Sequence, residues 1–310
     1  MSPSLRALLT GIVDYAGLFP PAQLSLEESI RNYARYRTEP ESWMLGRFIC
    51  PAARLAELSP YVDELFREGP PLAVSALGRS GKDADSFLDG FQRDLADIAL
   101  FRERHGLRVG VEVYEVRLSA DAMTEACLGE AANLANAVAP PVFTPFFEAP
   151  PAAISEVQSA VEFGWRSKRQ DCQAAGFKLR CGGLEASAFP SPRDVAALIA
   201  FAGLNGLPLK FTAGLHHPIR HRDAGIGTMM HGFLNVFVAG VLYVSRWTNA
   251  TDVLEDEDPG DFAFDSDGLR WRDRRASLAE IEAARRWMTS FGSCSFDEPR
   301  DDLRALGFLD

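Results

Sequence analysis

The chain of 310 residues carries 32 lysines and arginines against 43 aspartates and glutamates, a formal net charge of −11, and is 47 % hydrophobic and 24 % charged. This is the balance of a folded globular protein, and it excludes disordered, collagen-like and low-complexity chains. The acidic surplus, with no long basic helix face, also argues against nucleic acid as the main partner. The five cysteines, Cys50, Cys127, Cys172, Cys181 and Cys294, form no Cys-x-x-Cys pair and read as reduced thiols of a cytoplasmic protein. Only Arg6 is positive before Asp14, and no long apolar run precedes that aspartate, so no secretory leader is expected.

Short apolar runs alternate with longer amphipathic ones along the whole chain. Strands are predicted at 10–16, 46–51, 71–77, 107–114, 141–148, 176–181, 207–213 and 291–296. Eight such runs spaced by helical patterns point to an α/β chain of the (β/α)8, TIM-barrel-like type. Ser25 with Glu28 reads as a capping box opening a helix towards Tyr36, and further helices are predicted at 83–104, 120–137, 152–174 and 277–289. Ser191, Pro192 and Asp194 supply an N-cap, a first-turn proline and an acidic third position, and Gly206 ends that helix.

The stretch 225–245 lacks Asp, Glu, Lys and Arg and has the length of a bilayer span. It contains His231, Gly232, Asn235 and Gly240, so it reads as a buried core helix over 226–245, and no membrane is expected. An acidic loop with Asp252, Glu255, Asp256, Glu257, Asp258 and Asp261 follows. Phe262 to Arg272 then alternates around Asp267-Gly268, a hairpin signal. We read 247–275 as an acidic loop and β-hairpin insertion in the C-terminal half of one barrel domain over 1–310, closed by the strand at 291–296. The other reading makes the hairpin's first arm the eighth strand.

In such a barrel, catalytic groups belong at the C-terminal ends of the strands. Period-two alternation puts Lys178 and Arg180 on one face of their strand, and Lys210 and Thr212 on one face of the next. Two lysines in the middle of successive apolar strands would be close, and proximity plus burial lowers a lysine pKa and exposes a nucleophilic amine. That is the chemistry of Schiff-base formation. The bland alternative is a buried ion pair of Lys178 with Glu148 or Glu112.

Phe177-Lys178 with its Gly182-Gly183 end, followed by Leu209-Lys210 with a Thr-Ala-Gly end, resembles strands six and seven of the class I deoxyribose-phosphate aldolases. Phe291-Gly292-Ser293-Cys294-Ser295 is similar to that family's phosphate-holding eighth strand. The resemblance implies a TIM barrel in which Lys178 forms the imine, Lys210 lowers its pKa, and Gly292 and Ser293 contact the anion. The runs Lys178-Leu179-Arg180 and Gly214-Leu215-His216-His217-Pro218 are also similar to those of uncharacterised bacterial proteins, a likeness that implies no function.

The loop from Gly214 to Arg222 holds His216, His217, His221, Arg220 and Arg222, a positive island that would attract an anionic substrate. The next helix is expected to open at Gly225-Ile226-Gly227-Thr228 and to offer free N–H groups to an anion, with His231 a core histidine bonded to Asn235. His216 or His217 serves as acid, base or loop anchor. A metal would need His216 and His217 joined by Asp14 or Glu148. Glu148, beside Phe146 and Phe147, is the strongest general acid/base candidate, and alternation with Tyr114 turns Glu112, not Glu115, into the barrel. Cys50 and Cys181 read as buried thiols.

The sequence thus predicts an enzyme of the carbon–carbon lyase type acting on a small anionic carbonyl compound, with no cofactor and with homo-oligomerisation open. Lys178, Lys210, Glu148 and His217 are its catalytic candidates. Asp14, Arg180, Thr212, His216, Arg220 and Ser293 are its substrate contacts. A metal-assisted hydrolase or isomerase and a non-catalytic binding barrel are the alternatives.

Overall fold

The computed structural model describes residues 1–138, 143–168, 175–183, 185–247 and 249–310. Cys172, the start of the strand expected at 141–148 and the end of the helix expected at 152–174 lie outside the described residues. Seven strands come first: β1 (Val13–Tyr15), β2 (Leu45–Pro51), β3 (Leu72–Leu77), β4 (Val109–Arg117), β5 (Thr144–Glu148), β6 (Gly176–Arg180) and β7 (Leu209–Thr212). The antiparallel pair β8 (His221–Asp223) and β9 (Thr228–Met230) follows, then the antiparallel sheet β10 (Phe262–Phe264), β11 (Gly268–Trp271) and β12 (Arg274–Ser277). The last strand is β13 (Met288–Ser293). β1 to β7 and β13 close into a barrel in the order β1-β13-β7-β6-β5-β4-β3-β2, which is the expected α/β TIM-barrel fold with an antiparallel insertion in its C-terminal half.

The eighth barrel strand is therefore β13, starting three residues earlier than the run 291–296 suggested, and the first arm of the hairpin stays in the insertion. Part of the expected acidic loop is the helix Ala250–Glu255, and the hairpin gains β12 as a third strand. The helix expected at 277–289 is shorter, Leu278–Arg285, because Met288 already belongs to β13. Between Ile154 and Arg166 an α-turn runs into a π-helical one.

The chain forms two compact units, one of Asp14–Ser42 and Arg47–Lys178, the other of Met1–Val13, Trp43–Gly46 and Leu179–Asp310. In the first, Asp83 and Ser86 close a capping box on the helix Ala84–His105. That helix packs Phe91 against Tyr114 and Trp165, with ring centroids 5.3 and 6.2 Å away. Tyr114 reaches the same helix through its hydroxyl, which donates to Asp94 at 2.9 Å.

In the second unit the helix Phe233–Val244 is buried from Phe233 through Leu242. Phe233 stacks on Phe291 at 5.1 Å and Phe237 meets Phe211 at 5.6 Å. The uncharged stretch is core from Met230 to Leu242, whereas Gly225 to Met229 belongs to the exposed and half-buried β8–β9 ribbon and the helix opens only at Phe233. Among the described residues no helix is long and apolar enough to cross a membrane. The Ser191–Asp194 capping box and the left-handed Gly206 bound the helix Pro192–Asn205 as its sequence signals required.

Candidate active site

In β5, Phe147 packs against Trp165 at 6.0 Å, so alternation turns Glu148 to the opposite face. Glu148 is the register partner of Lys178 in β6, whose neighbours Phe177 and Leu179 are fully buried. The Lys178 ammonium Nζ lies 2.9 Å from Glu148 Oε2 and 2.9 Å from Glu115 Oε2. Ser75 Oγ donates to the other Glu115 oxygen at 2.5 Å. All four side chains are buried, with Lys178 4 %, Glu115 1 %, Glu148 7 % and Ser75 0 % exposed. One cation is therefore shared by two desolvated carboxylates.

The pKa of Lys178 follows from that balance. Burial pulls it down, but Glu115 and Glu148 push it up and outweigh the desolvation, so it lies above the ordinary lysine value. The expected low-pKa amine is corrected: the resting group is an ammonium ion held by carboxylates, the arrangement of the ion-pair alternative.

The carboxylate on β4 is also corrected. Glu115, not Glu112, faces Lys178. The register against β3 slips between Val74↔Val111 and Ser75↔Val113, a bulge that leaves Glu112 without a ladder partner and inverts the alternation beyond it. Tyr114 faces the helical layer, so its neighbour Glu115 shares the Ser75 side. Glu112 instead pairs on the exterior with Arg47 at 3.0 Å. Asp14 is fully buried in β1, where it accepts from the Arg47 backbone N–H at 2.6 Å with the Arg47 guanidinium 4.0 Å away.

In the second unit Lys210 is 1 % exposed and donates to Ser290 Oγ at 3.4 Å, its register partner on β13. Thr212 pairs with Gly292, and its carbonyl accepts from the Cys181 N–H at 2.8 Å. Arg180 ends β6 exposed. Ser293 is buried and accepts from the Ser295 N–H at 3.3 Å. The turn after β7 is tight: Ala213 has φ +55° and Gly214 φ +70°, and a Cβ on Gly214 would sit 2.6 Å from the Cys181 carbonyl oxygen. This turn delivers the histidine loop.

The loop is not a free positive island. His216 Nδ1 meets Glu298 Oε2 at 3.1 Å, and His217 Nδ1 meets Asp302 Oδ2 at 2.5 Å. Glu298 and Asp302 are one turn apart on the helix Asp297–Ala305, so one helix face clamps two adjacent histidines. The Cys294 thiol and the Glu298 carboxylate together raise the His216 pKa to about 9. Glu298 is lowered by the same bond to His216. The His217 and His221 rings meet edge-on at 4.4 Å. Arg220 uses its backbone N–H to bond Asn235 at 2.8 Å, and burial lowers its guanidinium pKa against Glu257 and Glu255.

The helix N-terminus expected at Gly225-Ile226-Gly227-Thr228 is instead the turn joining β8 to β9, because Asp223 Oδ1 accepts the Ile226 N–H at 2.8 Å and closes it. His231 precedes its helix and bonds the Pro190 carbonyl at 2.8 Å, not Asn235. Asn235 is satisfied by Arg220, Val253 and Asp256. Among the described residues no three His, Cys, Asp or Glu side chains cluster with metal-holding geometry. Sequence reasoning passed over Ser75 and the roles of Glu298 and Asp302. The spacing of the last two opposite adjacent histidines was the available signal.

The fold is thus an α/β barrel of the TIM type, and the candidate site within it is a buried lysine between two glutamates. The solved deoxyribose phosphate aldolase from Aeropyrum pernix is similar, with a TM-score of 0.51 over 97 % of this chain and 93 % of that one, at 11 % sequence identity. At that identity the likeness is one of fold. No family model and no curated protein matches the sequence.

Proposed function

We propose that this protein is an enzyme acting on a small anionic carbonyl compound, of the carbon–carbon lyase type, through an imine on Lys178. The observation that carries the reading is the Lys178 ammonium held 2.9 Å from both Glu115 and Glu148 in a buried site. The proton must leave before the amine can attack, and either carboxylate is placed to accept it. The free amine adds to the carbonyl carbon, and the carbonyl oxygen becomes the hydroxyl of a carbinolamine. The protonated glutamate then returns its proton to that hydroxyl, water leaves, and the iminium ion forms. Burial favours this exchange, because the neutral lysine and neutral acid are less costly in low dielectric than in water.

Lys210, Arg180, Thr212, Ser293, Arg220 and His216 are proposed as substrate contacts on their positions in or just beyond barrel strands, and His217 as a proton carrier on its exchange with Asp302. The resemblance of the Lys178 and Lys210 strands to class I aldolases supports the same chemistry. The Aeropyrum pernix enzyme is described as tetrameric. We extend homo-oligomerisation to this chain, and a monomer in sedimentation velocity overturns that extension.

Borohydride trapping with candidate aldehydes and ketoacids tests the imine. The expected adduct maps to the peptide containing Lys178 and increases from pH 6 to pH 9, because the raised pKa keeps the group mostly protonated over that range. No adduct, or an adduct on another lysine, ends the imine reading.

A further inference from the structure

The two carboxylates that hold Lys178 stand at different heights in the barrel. Glu148 is level with Lys178 across β5 and β6 and is the last residue of its strand. Glu115 is level with Phe146, two residues before Glu148, and Ser75 is level with Val113, two residues before Glu115. Each two-residue step is about 6–7 Å of strand. The row Ser75, Glu115, Glu148 thus climbs towards the C-terminal ends of the strands, the side on which substrates enter such barrels. Exposure follows the same order, with 0 % at Ser75, 1 % at Glu115 and 7 % at Glu148.

Ser75 Oγ donates to Glu115 Oε1 at 2.5 Å, while Oε2 of the same carboxylate lies 2.9 Å from Lys178 Nζ. A hydroxyl donating to a buried carboxylate favours its charged form and fixes which oxygen faces the lysine. Protonating Glu115 would weaken that charge-assisted bond. Building on the imine reading above, we propose that Ser75 is a positioning residue that keeps Glu115 ionised as the standing counter-ion of Lys178, and that Glu148 is the carboxylate that takes and returns the proton.

Imine formation has a use for both roles. One N–H bond of the ammonium breaks and an O–H bond forms on Glu148. The freed nitrogen bonds to the carbonyl carbon as the C=O π pair moves to oxygen, and a proton passes from nitrogen to that oxygen to give the carbinolamine. Glu148 then gives its proton to the carbinolamine hydroxyl, the C–O bond breaks, water departs, and Glu148 is a carboxylate again. Glu115 keeps its negative charge throughout, first against the ammonium and last against the iminium.

Borohydride trapping on the full chain with glyoxylate and pyruvate, followed by peptide mapping and by the rate of adduct formation against pH, tests the assignment. No adduct on Lys178 of the native protein overturns the imine reading, and this assignment with it. Given that adduct, the variants address the assignment alone. Glu148→Gln is expected to lower the plateau rate at saturating carbonyl roughly hundredfold. Glu115→Gln is expected to lower it less than about tenfold and to move the pH profile to lower pH, because the ammonium has lost a counter-charge. Ser75→Ala releases Glu115 to accept the proton, so in that background Glu148→Gln is expected to cost only about tenfold. Ser75→Thr, which keeps the hydroxyl, is expected to return that penalty to roughly hundredfold. A plateau loss as large in Glu115→Gln as in Glu148→Gln overturns the division between the carboxylates, and that comparison needs no Ser75 variant to fold. A Glu148→Gln penalty that is the same in the native and Ser75→Ala backgrounds overturns the role of Ser75.

Discussion

A lysine between two carboxylates is a different chemical object from a lysine beside a second lysine. The former starts as an ammonium ion and needs an internal proton acceptor; the latter starts as an amine. Lys178 is the former, because Glu115 and Glu148 each approach to 2.9 Å. The sequence singled out Lys178 and Glu148 as interior charges, since both interrupt apolar strands. It selected Glu112 over Glu115, the wrong one of the two, because the choice turns on a one-residue bulge in β4 that depends on pairing with β3. Replacing Lys178 by Met removes the ammonium ion that both buried carboxylates face, and the expected loss is about 3–5 kcal/mol at pH 7. Urea denaturation measures it. The triple variant Lys178→Met, Glu115→Gln, Glu148→Gln is expected to regain most of that loss, and a Lys178→Met protein as stable as the native one contradicts the buried network.

At the scale of elements, local signals were most legible where backbone termini need partners. Ser25 accepts the Glu28 N–H at 3.1 Å, and Ser191 with Asp194 closes a reciprocal box. Ser277 does the same with Glu280 at the start of the helix Leu278–Arg285: the Ser277 N–H donates to Glu280 Oε2 at 2.7 Å and the Glu280 N–H to Ser277 Oγ at 3.3 Å. Ser277 also ends β12, so one residue both stops a strand and starts a helix. Ser277→Ala is expected to cost about 1 kcal/mol, read as a lowered denaturation midpoint with unchanged slope. No change would mean that this helix is held by packing alone. The β8–β9 ribbon was hidden for the opposite reason. Its residues carry no alternation, and its turn is closed by Asp223 accepting the Ile226 N–H, a contact that an apolar pattern does not record.

Over the whole molecule, the charge of −11 is not spread evenly. Acidic side chains of the helix Asp297–Ala305 meet the rings of His216 and His217, so the loop that reads as a positive island in sequence has carboxylates against two of its histidines in the fold. The insertion after the helix Phe233–Val244 is bound inward through the same kind of pairing. Asp256 accepts from the Trp271 indole at 2.7 Å, and its carbonyl accepts from Asn235 at 2.9 Å. Asp256, counted in sequence as part of an acidic loop, is thus 5 % exposed and structural.

What the sequence determined by itself is the succession of elements. Apolar period, caps and glycine stops are local, and eight strand-like runs separated by helices permit few folds other than a barrel. They also marked Lys178, Lys210 and Glu148, because a charge inside an apolar strand is conspicuous without any partner. Only tertiary structure decided the partners. It paired Lys178 with Glu115, turned His231 to Pro190, and set Glu298 on His216, since each of these contacts joins residues distant in the chain. Proton affinities follow partners, so the protonation state of the candidate lysine, and with it the chemistry open to the site, was fixed by the fold and not by the order of residues.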